Sequence, residues 1–109
     1  MNLYKLYQLE KYGRIVKENE HGFISYRLFD DSSLYIETLY IKPESRGSGK
    51  AQDLEKLVIQ EENPKVIICD IDINSNNCEE PLSKFLHCGY KILKCNSERI
   101  TLYKKVKNE

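Results

Sequence analysis

The spacing of apolar residues changes period several times along the chain, and each change marks an element. Phe23, Ser25 and Arg27 alternate with Ile24, Tyr26 and Leu28, the two-residue period of a strand. Arg14 to Lys17 reads as the strand before it, joined through the polar turn Glu18-Asn19-Glu20-His21-Gly22. After a second turn at Asp30-Asp31-Ser32-Ser33, the stretch from Leu34 to Lys42 continues the meander. Regular alternation there predicts Leu34, Ile36, Thr38 and Tyr40 on one face, with Tyr35, Glu37, Leu39 and Ile41 on the other. Glu37 is then expected among apolar neighbours. Burying a carboxylate without a partner is expensive and raises its pKa, so a residue in that position is a candidate for proton chemistry.

Pro43 ends the strand, and Ala51, Leu54, Leu57 and Val58 form the stripe of a helix running from about Ser48 to Glu61. Asn63-Pro64 stops it. Val66 to Ile73 is a dense apolar run of the kind found in a strand covered on both faces. A helix between two strands predicts that they lie parallel and adjacent. A polar loop, Asn74-Ser75-Asn76-Asn77, precedes an acidic helix start at Glu79-Glu80-Pro81. Leu82, Phe85 and Leu86 give this helix its apolar face, and Gly89 ends it. Tyr90 to Cys95 and Ile100 to Val106 form a hairpin around Asn96-Ser97-Glu98. At the front, Leu3, Leu6, Tyr7 and Glu10 fall at helical spacing, predicting a helix that ends near Gly13 with an apolar face.

Composition narrows this outline. With 109 residues the chain fits one domain with a single core. Lys+Arg and Asp+Glu are both 17, so no overall field advertises nucleic acid or an anionic membrane as partner. No stretch has the character of a signal peptide or the length of a transmembrane helix, which points to the cytoplasm. Cys69, Cys78, Cys88 and Cys95 match no metal or redox spacing, so reduced thiols and no metal are expected. His21 reads as a solvated loop residue, and Asp70 and Asp72, two apart, share one strand face, where they read as a solvated pair at its wet end, with a second general-base site or a metal pair as the alternatives.

The chemistry concentrates between the third strand and the helix. Arg46-Gly47-Ser48-Gly49-Lys50-Ala51 fits the pattern Gln/Arg-x-x-Gly-x-Gly/Ala, in which glycines let backbone N–H groups close on an anion at a helix N-terminus. A dinucleotide fingerprint would need Gly where Gln52 stands, and a P-loop would need Gly at Glu44 and Ser or Thr at Ala51. With the leading strand Tyr35 to Glu44, this arc resembles that of the GCN5-related N-acetyltransferases (GNAT). Cys88-Gly89-Tyr90-Lys91-Ile92 is similar to a second recurring segment of that family. The resemblance covers roughly residues 23–106, the acetyl-CoA-binding core, and leaves residues 1–22 as an abbreviated N-terminal part.

The resemblance implies a GNAT-like mixed α/β (α+β) fold: an antiparallel N-terminal meander, a parallel central pair and a C-terminal hairpin in one sheet. It implies transfer of an acetyl group from acetyl-CoA, as co-substrate, to a primary amine by direct attack in a ternary complex. The acceptor would be a small molecule, a protein lysine or an N-terminus. Arg46, Gly47, Ser48, Gly49, Lys50 and Ala51 would hold the pyrophosphate, while the backbone of Leu39, Tyr40 and Ile41 would pair with the pantetheine arm. Glu37, nine residues before Arg46, would be the base, and Asn76 or Asn77 would touch the cofactor arm or cap the next helix. Where relatives carry a Tyr four residues before the Gly of the second segment, this chain has Phe85, which cannot protonate a leaving thiolate. Phe85 and the short N-terminus also fit an alternative: a GNAT-fold protein, weakly active or inactive, that binds coenzyme A or a protein partner. The free edge of the terminal hairpin gives the chain a reason to pair with a second copy.

Overall fold

A computed structural model describes residues 3–74 and 79–106. Local chemistry sets the first turns. Asn19 Oδ1 accepts from the backbone N–H of His21 at 2.8 Å and of Gly22 at 3.2 Å, closing β1 (Ile15–Asn19) onto β2 (Gly22–Leu28). Asp31 Oδ1 accepts from the N–H and the hydroxyl of Ser33, turning the chain into β3 (Ser33–Ile41). A short 3₁₀ turn, Pro43–Ser45, leads by way of the glycine arc to helix α2 (Lys50–Glu62). Asn63 ends that helix in a left-handed conformation, its N–H donating to Ile59 O. The chain then forms β4 (Val66–Asp72), α3 (Glu79–His87), β5 (Lys91–Cys95) and β6 (Arg99–Lys105), and α1 (Leu3–Tyr12) precedes them all.

The six strands make one sheet in the order β1-β2-β3-β4-β6-β5. The β3–β4 pair is parallel and every other pair is antiparallel, so meander, parallel centre and terminal hairpin stand as expected. Both crossovers, β3-α2-β4 and β4-α3-β5, move the same way across the sheet, which puts α2 and α3 on one face. Side chains bear this out: Gln52 of α2 donates to Cys88 Sγ, just past α3, at 2.9 Å. The core lies between those helices and the sheet, with Ile24, Tyr26, Leu34, Ile36, Leu54, Val58, Ile67, Cys69, Ile71, Tyr90 and Leu102 buried. Each fully buried aliphatic side chain among them contributes about 1.5–3 kcal/mol relative to exposure. On α2, Leu54 and Val58 are buried as predicted, whereas Leu57 is exposed and Ile59 packs against the core in its place.

Three expectations need correction. Regular alternation along β3 fails at Glu37, because Ser25 pairs with Thr38 and Tyr26 with Ile36, leaving Glu37 as the extra residue of a β-bulge. The bulge turns Leu34, Ile36, Leu39 and Ile41 to the helix-covered core and puts Tyr35, Glu37, Thr38 and Tyr40 on the opposite face. Glu37 therefore has polar neighbours rather than apolar ones. The second correction concerns α1, whose apolar face looks outward: Leu3, Tyr4, Leu6, Tyr7 and Leu9 are exposed, and its buried residue is Gln8, bonded by Arg14 Nη1 at 2.6 Å. No second helix lies over that face among the described residues. The third concerns β4, which the helices cover on one face only; Ile68, on the other face, is half-buried and Asp72 is exposed. No helix among the described residues is long and apolar enough to cross a membrane.

Candidate functional site

The sheet opens at its centre. β3 and β4 pair only from Ser33↔Val66 to Ile36↔Cys69, yet β3 continues to Ile41 and β4 to Asp72. Beyond Ile36 the β4-facing edge of β3 has no strand partner among the described residues, and the two strands form a fork. Lys42 N–H donates to His21 O on the β2 side, so by strand alternation the backbone groups of Tyr40 also face β2. Gly22 fits this arrangement, since a Cβ there would collide with Tyr40 O. The backbone groups of Leu39 and Ile41 then face the open side of the fork. Of the three residues expected to pair with pantetheine, these two direct backbone groups to that side, and Arg46 Nε already bonds the carbonyl of Ile41 there.

At the mouth of the fork stands the arc. Gly47 and Gly49 have φ of 81° and 78°, in the left-handed region that L side chains rarely adopt. Gly49 is the N-cap of α2 and supplies no side-chain cap, leaving the first N–H groups of a 13-residue helix to an outside acceptor. Ser48 Oγ donates to Ser45 O at 2.7 Å, and His21 Nδ1 lies 2.9 Å from Ser45 Oγ, so the β1–β2 turn braces the arc from beneath. His21 is thus half-buried against Ser45 rather than a fully solvated loop residue. Arg46 folds back: its Nε donates to Ile41 O at 2.8 Å and its guanidinium lies 5.6 Å from the Tyr40 ring centroid. Arg46, Gly47, Ser48, Gly49, Lys50 and Ala51 are therefore one continuous feature at a helix N-terminus beside the fork. Asn76 and Asn77 lie outside the described residues.

Glu37 sits at the apex of the fork on the face away from α2. Arg14 Nη2 donates to its Oε2 at 2.7 Å, and Arg27 Nε forms an ion pair with its Oε1 at 2.5 Å. The hydrogen bond from Arg14 holds the Glu37 carboxyl below the usual range, against the opposing effect of burial, and the Arg14 guanidinium is raised in turn. On the other prong, Asp70 accepts from Tyr35 Oη at 2.7 Å and from Thr101 Oγ1, with Arg99 Nη1 at 3.9 Å. The Tyr35 phenol is pushed up to about 12, first by burial and then by Asp70. Sequence spacing put Asp70 and Asp72 on one face as a solvated pair or a second general-base site, without showing the partners of either.

Phe85 packs edge-on against Tyr90, ring centroids 5.0 Å apart at 77°, and Tyr90 Oη donates to Glu55 at 2.7 Å. Neither ring offers a free phenol. Cys69, Cys88 and Cys95 are free thiols, and burial pushes the Cys69 thiol up to about 12. Among the described residues no group of His, Cys, Asp and Glu could hold a metal ion.

No protein-family model matches this sequence. No curated protein matches it significantly. Solved structures do. The chain is similar to the PaiA N-acetyltransferase of Thermoplasma acidophilum in complex with coenzyme A, with 13% identity, a TM-score of 0.70, and 95% of this chain and 69% of that one covered. It is similar to a GNAT family acetyltransferase from Elizabethkingia anophelis with acetyl-CoA bound, at 14% identity and a TM-score of 0.63, covering 83% and 72% of the two chains. Nourseothricin acetyltransferase matches at 14% identity and a TM-score of 0.68 over 84% of this chain, which spans only 64% of that protein. With its mixed sheet, central fork and glycine arc, the chain has the acyl-CoA N-acyltransferase fold of the GNAT superfamily.

Proposed function

We propose that the protein is an acetyl-CoA-dependent N-acetyltransferase acting on a primary amine. The observation that carries this reading is the uncapped, glycine-led N-terminus of α2 opening beside the unpaired edge of β3. The arc presents N–H groups and the cations Arg46 and Lys50 to a pyrophosphate. From there a pantetheine arm running down the fork meets the backbone groups of Leu39 and Ile41 as an added strand would. Its thioester would end near the bulge at Glu37. Aligning thioester and amine in this way can supply about 7–11 kcal/mol of barrier reduction.

The test is calorimetric titration with coenzyme A, followed by free-thiol release from acetyl-CoA with a panel of primary amines. Saturable binding together with amine-dependent thiol release is expected. A folded protein with no affinity for coenzyme A would refute the reading. One observation favours a second, quieter reading: Phe85 packs on Tyr90, so the segment provides no phenol for the leaving thiolate. A coenzyme A-binding protein without transferase activity would bind in the first experiment and release no thiol in the second.

A further inference from the structure

We infer that Asp70 is the proton acceptor for the attacking amine, an assignment that rests on the acetyl-transfer reading above. The thioester end of a ligand laid along the fork lies where β3–β4 pairing stops, and Asp70 is the next residue of β4 after the last pair, Ile36↔Cys69. One face of the sheet there is filled by α2, α3 and the core. An acceptor must therefore approach from the other face, where Tyr35, Glu37, Asp70 and Thr101 stand.

Two carboxylates flank the apex on that face, and their partners differ in kind. Both oxygens of Glu37 are in contact with guanidinium groups, so protonating Glu37 means giving up two ion pairs. Asp70 is held by two hydroxyls, Tyr35 from β3 and Thr101 from β6. Arg99 lies 3.9 Å away with its side chain 62% exposed, so solvent screens that pair, and Glu37 and Arg27 stand around the Tyr35 ring. The Asp70 side chain is itself 20% exposed, so a substrate nitrogen can reach it. Donors from two neighbouring strands fix its rotamer in advance, as a positioned base requires.

The step balances without further reactants. The neutral amine nitrogen attacks the thioester carbonyl carbon, the C–N bond forms, and its proton passes to Asp70. The C–S bond breaks, the thiolate takes a proton from solvent, and Asp70 returns its proton to solvent. Glu37 is then a positioning residue that ties the bulge to Arg14 and Arg27.

Asp70→Asn keeps one oxygen for one of the two hydroxyls and turns an NH2 toward the other, which can accept from it. With n-butylamine, spermidine and a lysine peptide as acceptors, thiol release by this variant should fall about 10²–10⁴-fold while coenzyme A affinity stays at the wild-type value. Asp70→Glu should restore part of the loss. Tyr35→Phe removes one of the two donors that fix the carboxylate and should lower kcat for thiol release while coenzyme A affinity stays at the wild-type value; this covers the case in which Asp70→Asn does not fold. Asp70→Asn transfer within about threefold of wild type, or a kcat unmoved by Tyr35→Phe, overturns the assignment and leaves the acetyl-transfer reading standing. Wild-type protein that binds coenzyme A but acetylates none of these amines overturns the assignment as well. Wild-type protein with no affinity for coenzyme A overturns both.

Discussion

Arg14 Nη2 lies 2.7 Å from Glu37 Oε2, joining the segment after α1 to the bulge of β3 across 23 residues of sequence. The same guanidinium reaches Gln8 of α1 through Nη1 at 2.6 Å, so helix, connector and bulge form one polar unit. With the ion pair of Lys5 Nζ and Glu18 Oε1 at 3.0 Å, this bridge ties the N-terminal helix to the sheet while the apolar face of α1 looks outward.

Glu37→Gln should therefore loosen the N-terminal part. It removes the charge that Arg14 and Arg27 share, and the expected loss is about 1–2 kcal/mol, toward the lower end because Arg27 is close to half exposed. Denaturant midpoints of the two proteins measure it. Equal midpoints would show that the bridge contributes nothing.

The pH dependence has a definite sign. The Glu37 carboxyl lies below its ordinary value of 4.5 in the folded protein, so the bridge contributes fully above about pH 4.5 and is lost as pH falls through the depressed folded value. Acid unfolding of the wild type should contain this loss. Glu37→Gln should show a shallower decline over the same window in a urea titration series, and parallel curves would assign the acid sensitivity to other carboxylates.

Much of this architecture is legible in the chain. Pro43, the arc at residues 46–51 and the apolar run beginning at Val66 announce a strand, a phosphate-type turn, a crossover helix and a parallel partner, because each depends on backbone chemistry that few residues satisfy. The bulge at Glu37 is not legible. One extra residue shifts the facing of everything after it, and Thr38-Leu39-Tyr40-Ile41 is apolar enough on either face to hide the slip. The setting of Asp70 was hidden for a related reason: its hydroxyl partners, Tyr35 and Thr101, come from strands 35 and 31 residues away, and only sheet order brings them together.

The arc yields a binding prediction. Gly49→Asp should abolish coenzyme A binding in calorimetry, since it places a carboxylate at the helix N-terminus where the pyrophosphate charge would sit. Gly49→Ala separates sterics from charge: the nearest atom to its Cβ would be 3.9 Å away, so the penalty is conformational, about 1–2 kcal/mol of stability at a φ of 78°. Arg46→Ala should weaken binding without abolishing it. Unchanged affinity in folded Gly49→Asp would remove the arc from the site.

Thiol reactivity checks the core independently. Cys95 is exposed on the edge strand, whereas Cys69 is buried with its thiol pushed up to about 12. Maleimide at neutral pH should label Cys95 rapidly in the native protein and reach Cys69 only after denaturation. Native labelling of both at similar rates would contradict the packing of β4 under α2.

The Phe85–Tyr90 pair decides what happens at the leaving thiolate. Phe85 belongs to the shell packed on the core, and its ring already makes an edge-on contact with Tyr90. A hydroxyl added by Phe85→Tyr enters that shell without a partner, which costs about 1–3 kcal/mol. Tyr90 is the nearest natural phenol, but it is buried and its proton is committed to Glu55, which Lys104 also holds at 2.9 Å. Burial and the Glu55 charge raise the Tyr90 pKa well above its ordinary value, so it neither ionises nor turns easily to another acceptor. Tyr90→Phe should consequently lower stability by about 1 kcal/mol through the lost hydrogen bond, with thiol release per folded molecule unchanged. Phe85→Tyr should likewise lower the melting temperature without a gain in rate. A faster Phe85→Tyr enzyme would mean that the ring can turn toward the fork and the sulfur, and a slower Tyr90→Phe enzyme would make Tyr90 the donor. If neither rate moves, the thiolate departs to solvent, as a good leaving group can.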